Sequence, residues 1–170
     1  MNAPRKICFF TGTLSVFAGA ERVTAVLASA LAAQGHEVHI VCQHGATSVF
    51  ELHPGVRLHA LYDLRPSFKT HYLPAIGRLR AYLRAQGIQT LIDVDPNLLW
   101  FSLPARRGLG LQHIAWEHTH YNHDLGLRAR RIARRLAARL CDAIVVLTER
   151  DRLTWLHALP HLKTSADTGH

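Results

Sequence analysis

The stretch Lys6–Cys42, KICFFTGTLSVFAGAERVTAVLASALAAQGHEVHIVC, holds the units from which the rest of the chain is read. Lys6 to Phe10 is an apolar run of strand length, followed by a glycine-bearing loop from Thr11 to Gly19. From Ala20 to Ala33, the residues Val23, Val26, Leu27, Ala30 and Leu31 recur at helical spacing, and Gly35 supplies the stop. Glu37 to Cys42 is a second apolar run. Strand, helix and strand in that order are the parts of a parallel βαβ unit.

The alternation continues to the end of the chain. Val56–Leu61 reads as a third strand, His71–Ala85 as a helix ending at Gly87, and Thr90–Val94 as a fourth strand that Pro96 helps to stop. A short helix over Leu98–Arg106 leads through Gly108 and Gly110 to a strand at His113–Trp116. A helix over Leu125–Leu140, a strand at Ala143–Leu147 and a helix over Glu149–Leu159 follow, with Pro160 as the stop. The pattern predicts an α/β fold: one Rossmann-like domain over residues 1–162, with a mostly parallel sheet between helices. Residues 163–170 are small or polar and are expected to be a disordered tail. The apolar runs Ile7–Phe10 and Ala143–Leu147 are expected to be strands buried on both sides. Ligands of such sheets collect at the carboxyl ends of the strands, which directs attention to Thr11–Arg22, Asp93–Asn97 and Glu117–Asp124.

A chain of 170 residues with 48% hydrophobic and 19% charged residues suits one domain with a sizeable core. Its net charge of +8 and pI near 10.1 favour partners that carry phosphate: nucleic acid, anionic lipid or a pyrophosphate-bearing substrate. Cys8, Cys42 and Cys141 lie singly in apolar runs without metal-ligand spacing, so they read as buried hydrophobes in a reducing cytoplasm. The amino terminus does not read as a secretory signal, and no segment has the length of a membrane span. Any membrane association is expected to be peripheral, at the inner face.

Several stretches carry candidate chemistry. Gly12 and Gly19-Ala20-Glu21-Arg22 place a glycine-bearing loop before a helix amino terminus, where free N–H groups suit an anion. The same glycines also fit a simple tight turn, and the dinucleotide spacing is absent. Glu117-His118-Thr119-His120-Tyr121-Asn122-His123-Asp124 gathers histidines and acids, but not at a zinc spacing; it reads better as a loop that contacts substrate. Asp93 and Asp95 fit either a helix cap or a hydroxyl contact. Trp100, Trp116 and Trp155 fall on apolar faces and read as packing residues. In the helix Leu125–Leu140, Leu125, Ala129, Ile132, Ala133, Leu136 and Leu140 form one apolar face, expected to pack on the sheet. Arg128, Arg131, Arg135 and Arg139 lie beside it, and Arg130 and Arg134 are expected to complete the polar side. That stripe is either solvated surface or a docking surface for anionic lipid or a lipid-pyrophosphate acceptor. No nucleic-acid motif accompanies the charge, so nucleic acid is not an expected partner.

Lys6–Phe10, Gly19-Ala20-Glu21-Arg22, Leu31-Ala32-Ala33-Gln34-Gly35-His36-Glu37-Val38, Phe50–Val56, Trp116-Glu117-His118 and Asp142–Glu149, in this order and spacing, resemble the amino-terminal domain of family 4 glycosyltransferases. One glycine of the family's usual pair is replaced by Ala18. The resemblance implies the GT-B fold and transfer of a sugar from a nucleotide-sugar donor, with retention, to a glycan or lipid-linked acceptor. Polysaccharide or lipopolysaccharide assembly is the implied setting. Gly19 and Glu21 would lie at the donor diphosphate, His118 would be the catalytic-site residue at the transferred sugar, and Glu117 and Asn122 would contact sugar or acceptor. No metal and no other cofactor is implied. The family's donor-binding acidic motif belongs to a carboxyl-terminal half without a counterpart here, so this chain is expected to be inactive alone. A non-catalytic binding module and a basic nucleotide-binding Rossmann domain are the alternatives.

Overall fold

A computed structural model describes residues 3–118 and 128–159. Six strands form one sheet: β1 (Lys6–Thr11), β2 (Glu37–Cys42), β3 (Val56–Ala60), β4 (Thr90–Asp93), β5 (Gln112–Glu117) and β6 (Ala143–Val146). Their order is β3-β2-β1-β4-β5-β6, and every neighbouring pair is parallel. The helices are α1 (Gly19–Ala33), α2 (Phe68–Gln86), α3 (Leu99–Arg106), α4 (Arg128–Leu140 as described) and α5 (Glu149–Ala158). A 3-10 turn at Pro96–Leu98 precedes α3. The predicted α/β architecture is the observed one. α2 begins earlier than the apolar spacing indicated, because Phe68 and Tyr72 find a partner ring in Phe101 of α3.

The central strands are apolar because both their faces are covered. Ile7, Cys8, Phe9 and Phe10 of β1 and Val38, Ile40, Val41 and Cys42 of β2 are buried, joined by Leu79 and Leu83 of α2. Gly87, at φ 63°, lets α2 end in a left-handed residue: its N–H donates to Arg84 O, and that of Ile88 to Leu83 O. Sequence order reverses between β1 and β4, which makes the carboxyl ends of those strands the topological switch point of the sheet.

Two expectations need correction, and α1 adds a finding. β6 is an edge strand, and Ala143 and Val145 are exposed rather than buried on both sides. On α4, the residues turned inward are Arg130, Ala133, Arg134 and Ala137, while Ile132 and Leu140 face water. Arg130 and Arg134 are thus not on the polar side; the buried Glu117 and the half-buried Asp95 at the sheet edge draw them in. On α1 the core face is Thr24, Ala25, Ala28 and Ala32, and Val23, Val26, Leu27 and Ala30 point outward. Small side chains pack there because the helix lies close on the sheet. The Thr24 hydroxyl donates to Ala20 O, so its burial leaves no unmet donor.

Candidate functional site at the switch point

The loops after β1 and β4 and the end of β5 lie at the carboxyl edge of the sheet. The loop after β1 is tied to the loop after β2 by a parallel bridge between Leu14 and Ser48 and by the Ser15 hydroxyl, which donates to Thr47 O at 3.2 Å. Gly45 sits under this tie at φ 77°, where a Cβ would come within 2.9 Å of Ser15 Oγ. The loop then enters α1 without a capping side chain: Ala18 is the N-cap and offers none. A Cβ placed on Gly19 would meet nothing within 4 Å. The first turn of α1 thus has no capping side chain, and Glu21 is its acidic residue.

After β4 the two aspartates take different roles. Asp93 is fully buried, and its Oδ2 accepts from the Ser102 hydroxyl and bonds His113 Nε2 at 2.8 Å. Ser102 and His113 share that one oxygen inside the core, so this is a structural knot and not a nucleophile with its base. Asp95 caps the 3-10 turn, accepting from Asn97 N at 2.8 Å, and also receives a bond from Arg130 at 2.6 Å.

Glu117 and His118 end β5. The Glu117 side chain is 1% exposed; its Oε2 accepts from Arg134 Nε at 2.7 Å and its Oε1 from Arg130 at 3.3 Å. The sugar contact expected of Glu117 thus meets a carboxylate already engaged by two arginines. His118 packs its ring on Trp116, with centroids 4.3 Å apart, and Trp116 in turn lies against Phe9. Its Nε2 is buried and finds no hydrogen-bond partner among the described residues. Burial lowers the His118 pKa below the ordinary histidine value, against the opposing pull of Asp95, Glu117 and Glu21. A neutral imidazole with a free nitrogen can donate to or accept from a hydroxyl.

The structure therefore brings Gly19, Glu21, Glu117 and His118 to one edge. Asn122 lies outside the described residues, as do Leu125 and residues 160–170. Arg128, Arg131, Arg135 and Arg139 are exposed on the outer side of α4. Arg130 and Arg134, which bind the acids of the site, went unrecognised in the sequence. An arginine four positions from another can face either side of a helix, and only the depth of Glu117 decides. Among the described residues no group of histidine, cysteine and acid side chains is arranged to hold a metal. A cavity of about 530 Å3 between Arg106, Arg107, Leu111 and Leu140 lies before β5 and β6, at the opposite edge of the sheet. No described helix is long and apolar enough to cross a membrane.

Comparison with known proteins places this edge in context. Residues 17–160 match the family described as Glycosyltransferase Family 4. A protein of Haemophilus influenzae called an uncharacterized glycosyltransferase is 33% identical over 151 residues, covering 89% of this chain and 43% of its own length. The Campylobacter jejuni GalNAc-alpha-(1->4)-GalNAc-alpha-(1->3)-diNAcBac-PP-undecaprenol alpha-1,4-N-acetyl-D-galactosaminyltransferase is 29% identical, over 97% of this chain and 46% of its own. The chain thus spans less than half the length of these relatives. Anabaena HepE, solved with UDP and glucose, superposes with a TM-score of 0.66 at 12% identity, over 91% of this chain and 41% of that one. A fragment of sucrose-phosphate synthase from Thermosynechococcus elongatus superposes at 0.57 and 16% identity, over 91% of this chain and 82% of that one. At such identity the shared property is the fold.

Proposed function

The chain belongs to glycosyltransferase family 4, and on that premise we propose that it is the acceptor-side half of a sugar-transfer site. The observation that carries this reading is the uncapped start of α1: Gly19 opens onto free space, and His118 stands within electrostatic reach of Glu21. In this reading the first-turn N–H groups face the diphosphate of a nucleotide-sugar donor, where the helix dipole favours negative charge. His118, neutral and with Nε2 unengaged, meets a hydroxyl of the transferred sugar or the acceptor. Arg130 and Arg134 hold Glu117, and through the backbone they fix the base of the His118 residue. The complex of HepE with UDP and the lipid-linked acceptor in the name of the Campylobacter enzyme support these two classes of substrate. Catalysis requires a second half that binds the donor, because a leaving diphosphate needs positive groups around it. The exposed arginines of α4 suit an anionic membrane surface beside a lipid-linked acceptor, in the assembly of a cell-envelope glycan.

Transfer from UDP-sugars to undecaprenyl-diphosphate glycans tests the reading. The 170-residue chain is expected to show no turnover, and a polypeptide joining it to a donor-binding half is expected to be active. In that longer polypeptide, His118→Ala should reduce kcat by about 10²-fold or more, as loss of a group that meets the transition state does. Turnover unchanged by His118→Ala overturns the role given to His118. Turnover by the short chain alone overturns the need for a second half.

A further inference from the structure

We propose that the outer face of α1 is a contact through which two copies of the chain associate, with their α1 helices antiparallel. The core side of α1 is built from Thr24, Ala25, Ala28 and Ala32. The opposite side carries Val23, Val26, Leu27, Ala30 and Ala33, all exposed, with Val26 at 63%. Val16 and Phe17, the latter 82% exposed, continue the apolar surface in the loop that enters the helix. A helix that is apolar on both sides is covered on both sides. The contrast with α4 is direct: its outer side carries arginines, which is how a helix on this protein meets water.

Charge selects a second copy as the occupant. Arg22 is exposed in the first turn of α1 beside Glu21, at the end where a cation opposes the helix dipole and an acid suits it, and the last turn holds no basic residue. An antiparallel partner brings each Arg22 beside the carbonyl end of the other helix, an end that has no basic residue of its own. The two Arg22 side chains fall at opposite ends of the contact, roughly 16 Å apart at 1.5 Å per residue, beyond the screening length of about 10 Å. This is the orientation in which two chains of charge +8 meet with least repulsion. A membrane surface, the other occupant for an apolar face, calls for a basic rim, and Arg22 is the only basic residue of α1. Ala30 and Ala33 permit an interaxial distance near 8 Å. Fifteen residues give a contact about 22 Å long, which buries less than the roughly 1,200 Å2 of a stable interface. The dimer is therefore weak, dissociating in the micromolar range or above.

Sedimentation velocity of the full chain over rising concentration tests this. The expected result is a monomer–dimer equilibrium that Val26→Arg weakens about thirtyfold or more while the circular dichroism spectrum is unchanged. Oxidation should link Val26→Cys chains into covalent dimers and leave Val145→Cys chains, altered on exposed β6, as monomers. A monomer at every concentration overturns the proposal, as does a dimer indifferent to Val26→Arg. So does a chain that stays monomeric and binds phosphatidylcholine vesicles through Val26, which assigns the face to lipid.

Discussion

Arg134 donates from Nε to Oε2 of Glu117 at 2.7 Å, and the two side chains are 2% and 1% exposed. Removing Arg134 takes the 2.7 Å bond from the buried Glu117 carboxylate and leaves it Arg130 at 3.3 Å. Arg134→Ala should lower the unfolding free energy by about 3 kcal/mol. Arg135→Ala, one position on and exposed, should change it by less than about 0.5 kcal/mol. Urea denaturation of the two variants reads the orientation of α4 directly: similar losses mean that the helix is turned differently.

Two glycines of the loops at the carboxyl edge make opposite predictions. Gly45 has φ 77°, and a Cβ there meets Ser15 Oγ at 2.9 Å, so Gly45→Ala should cost about 1–3 kcal/mol. Gly19 has neither constraint. Gly19→Ala should leave thermal stability unchanged or slightly raised, and Gly19→Val should harm sugar transfer in a longer active polypeptide far more than it harms folding. Equal losses of stability and activity in Gly19→Val would return that glycine to a purely structural role.

Acid should destabilise the domain early. Burial lowers the pKa values of His39, His44, His59 and His118 below the ordinary histidine value. His39 is fully buried, between the Tyr82 hydroxyl at 2.7 Å from Nδ1 and Glu37 at 3.1 Å from Nε2, an arrangement complete for a neutral ring. Depressed folded-state values mean that the unfolded chain takes up protons first. The stability they contribute is thus present above about pH 6.5 and is lost as pH falls below it. Glu37, itself held low chiefly by its bond to His39, adds a second loss at lower pH. Urea midpoints measured from pH 7.5 to 5 should fall steadily; a flat profile contradicts this assignment.

The arginine stripe of α4 predicts binding to vesicles that contain anionic lipid. Arg128, Arg131, Arg135 and Arg139 are exposed, and each basic residue near such a surface contributes about 1 kcal/mol. Binding should be reversed by salt and lost when all four become glutamine, with the fold retained because the inward residues are untouched. Co-sedimentation unchanged by the quadruple substitution assigns the stripe to solvent.

Element order, strand positions and the crowded carboxyl edge were legible because strands buried on both faces leave continuous apolar runs and parallel sheets need helices between them. Helix rotation was not. On α1 the valines and leucines describe one face by spacing, yet the alanines pack inward; on α4 the same reasoning put Ile132 and Leu140 on the sheet and the arginines outside. Spacing finds a helix's period but cannot fix its phase when small residues do the packing or when buried acids recruit cations. The edge position of β6 was also hidden, since Ala143–Val146 is as apolar as a central strand. Of the candidate site, Gly19, Glu21 and His118 are proposed from the resemblance, while the engagement of Glu117 by Arg130 and Arg134 depends on contacts between β5 and α4 that no local pattern encodes.

The strand order has a consequence for how the molecule is made. β1 is synthesised before the other five strands of the sheet, yet its flank beside Phe9 closes only against β4, and contacts such as Lys6 to Gln89 join residues 83 apart. At about 5–20 residues per second, a nascent chain displays an unpaired edge of β1 for roughly 4 to 17 s before β4 is delivered. During that interval Phe9 and Phe10 are exposed on a half-built sheet, a form that invites capture by another chain. Expression at high density, more than any weakness of the finished fold, is where this protein should aggregate, and slowing initiation or supplying a holdase should recover soluble product.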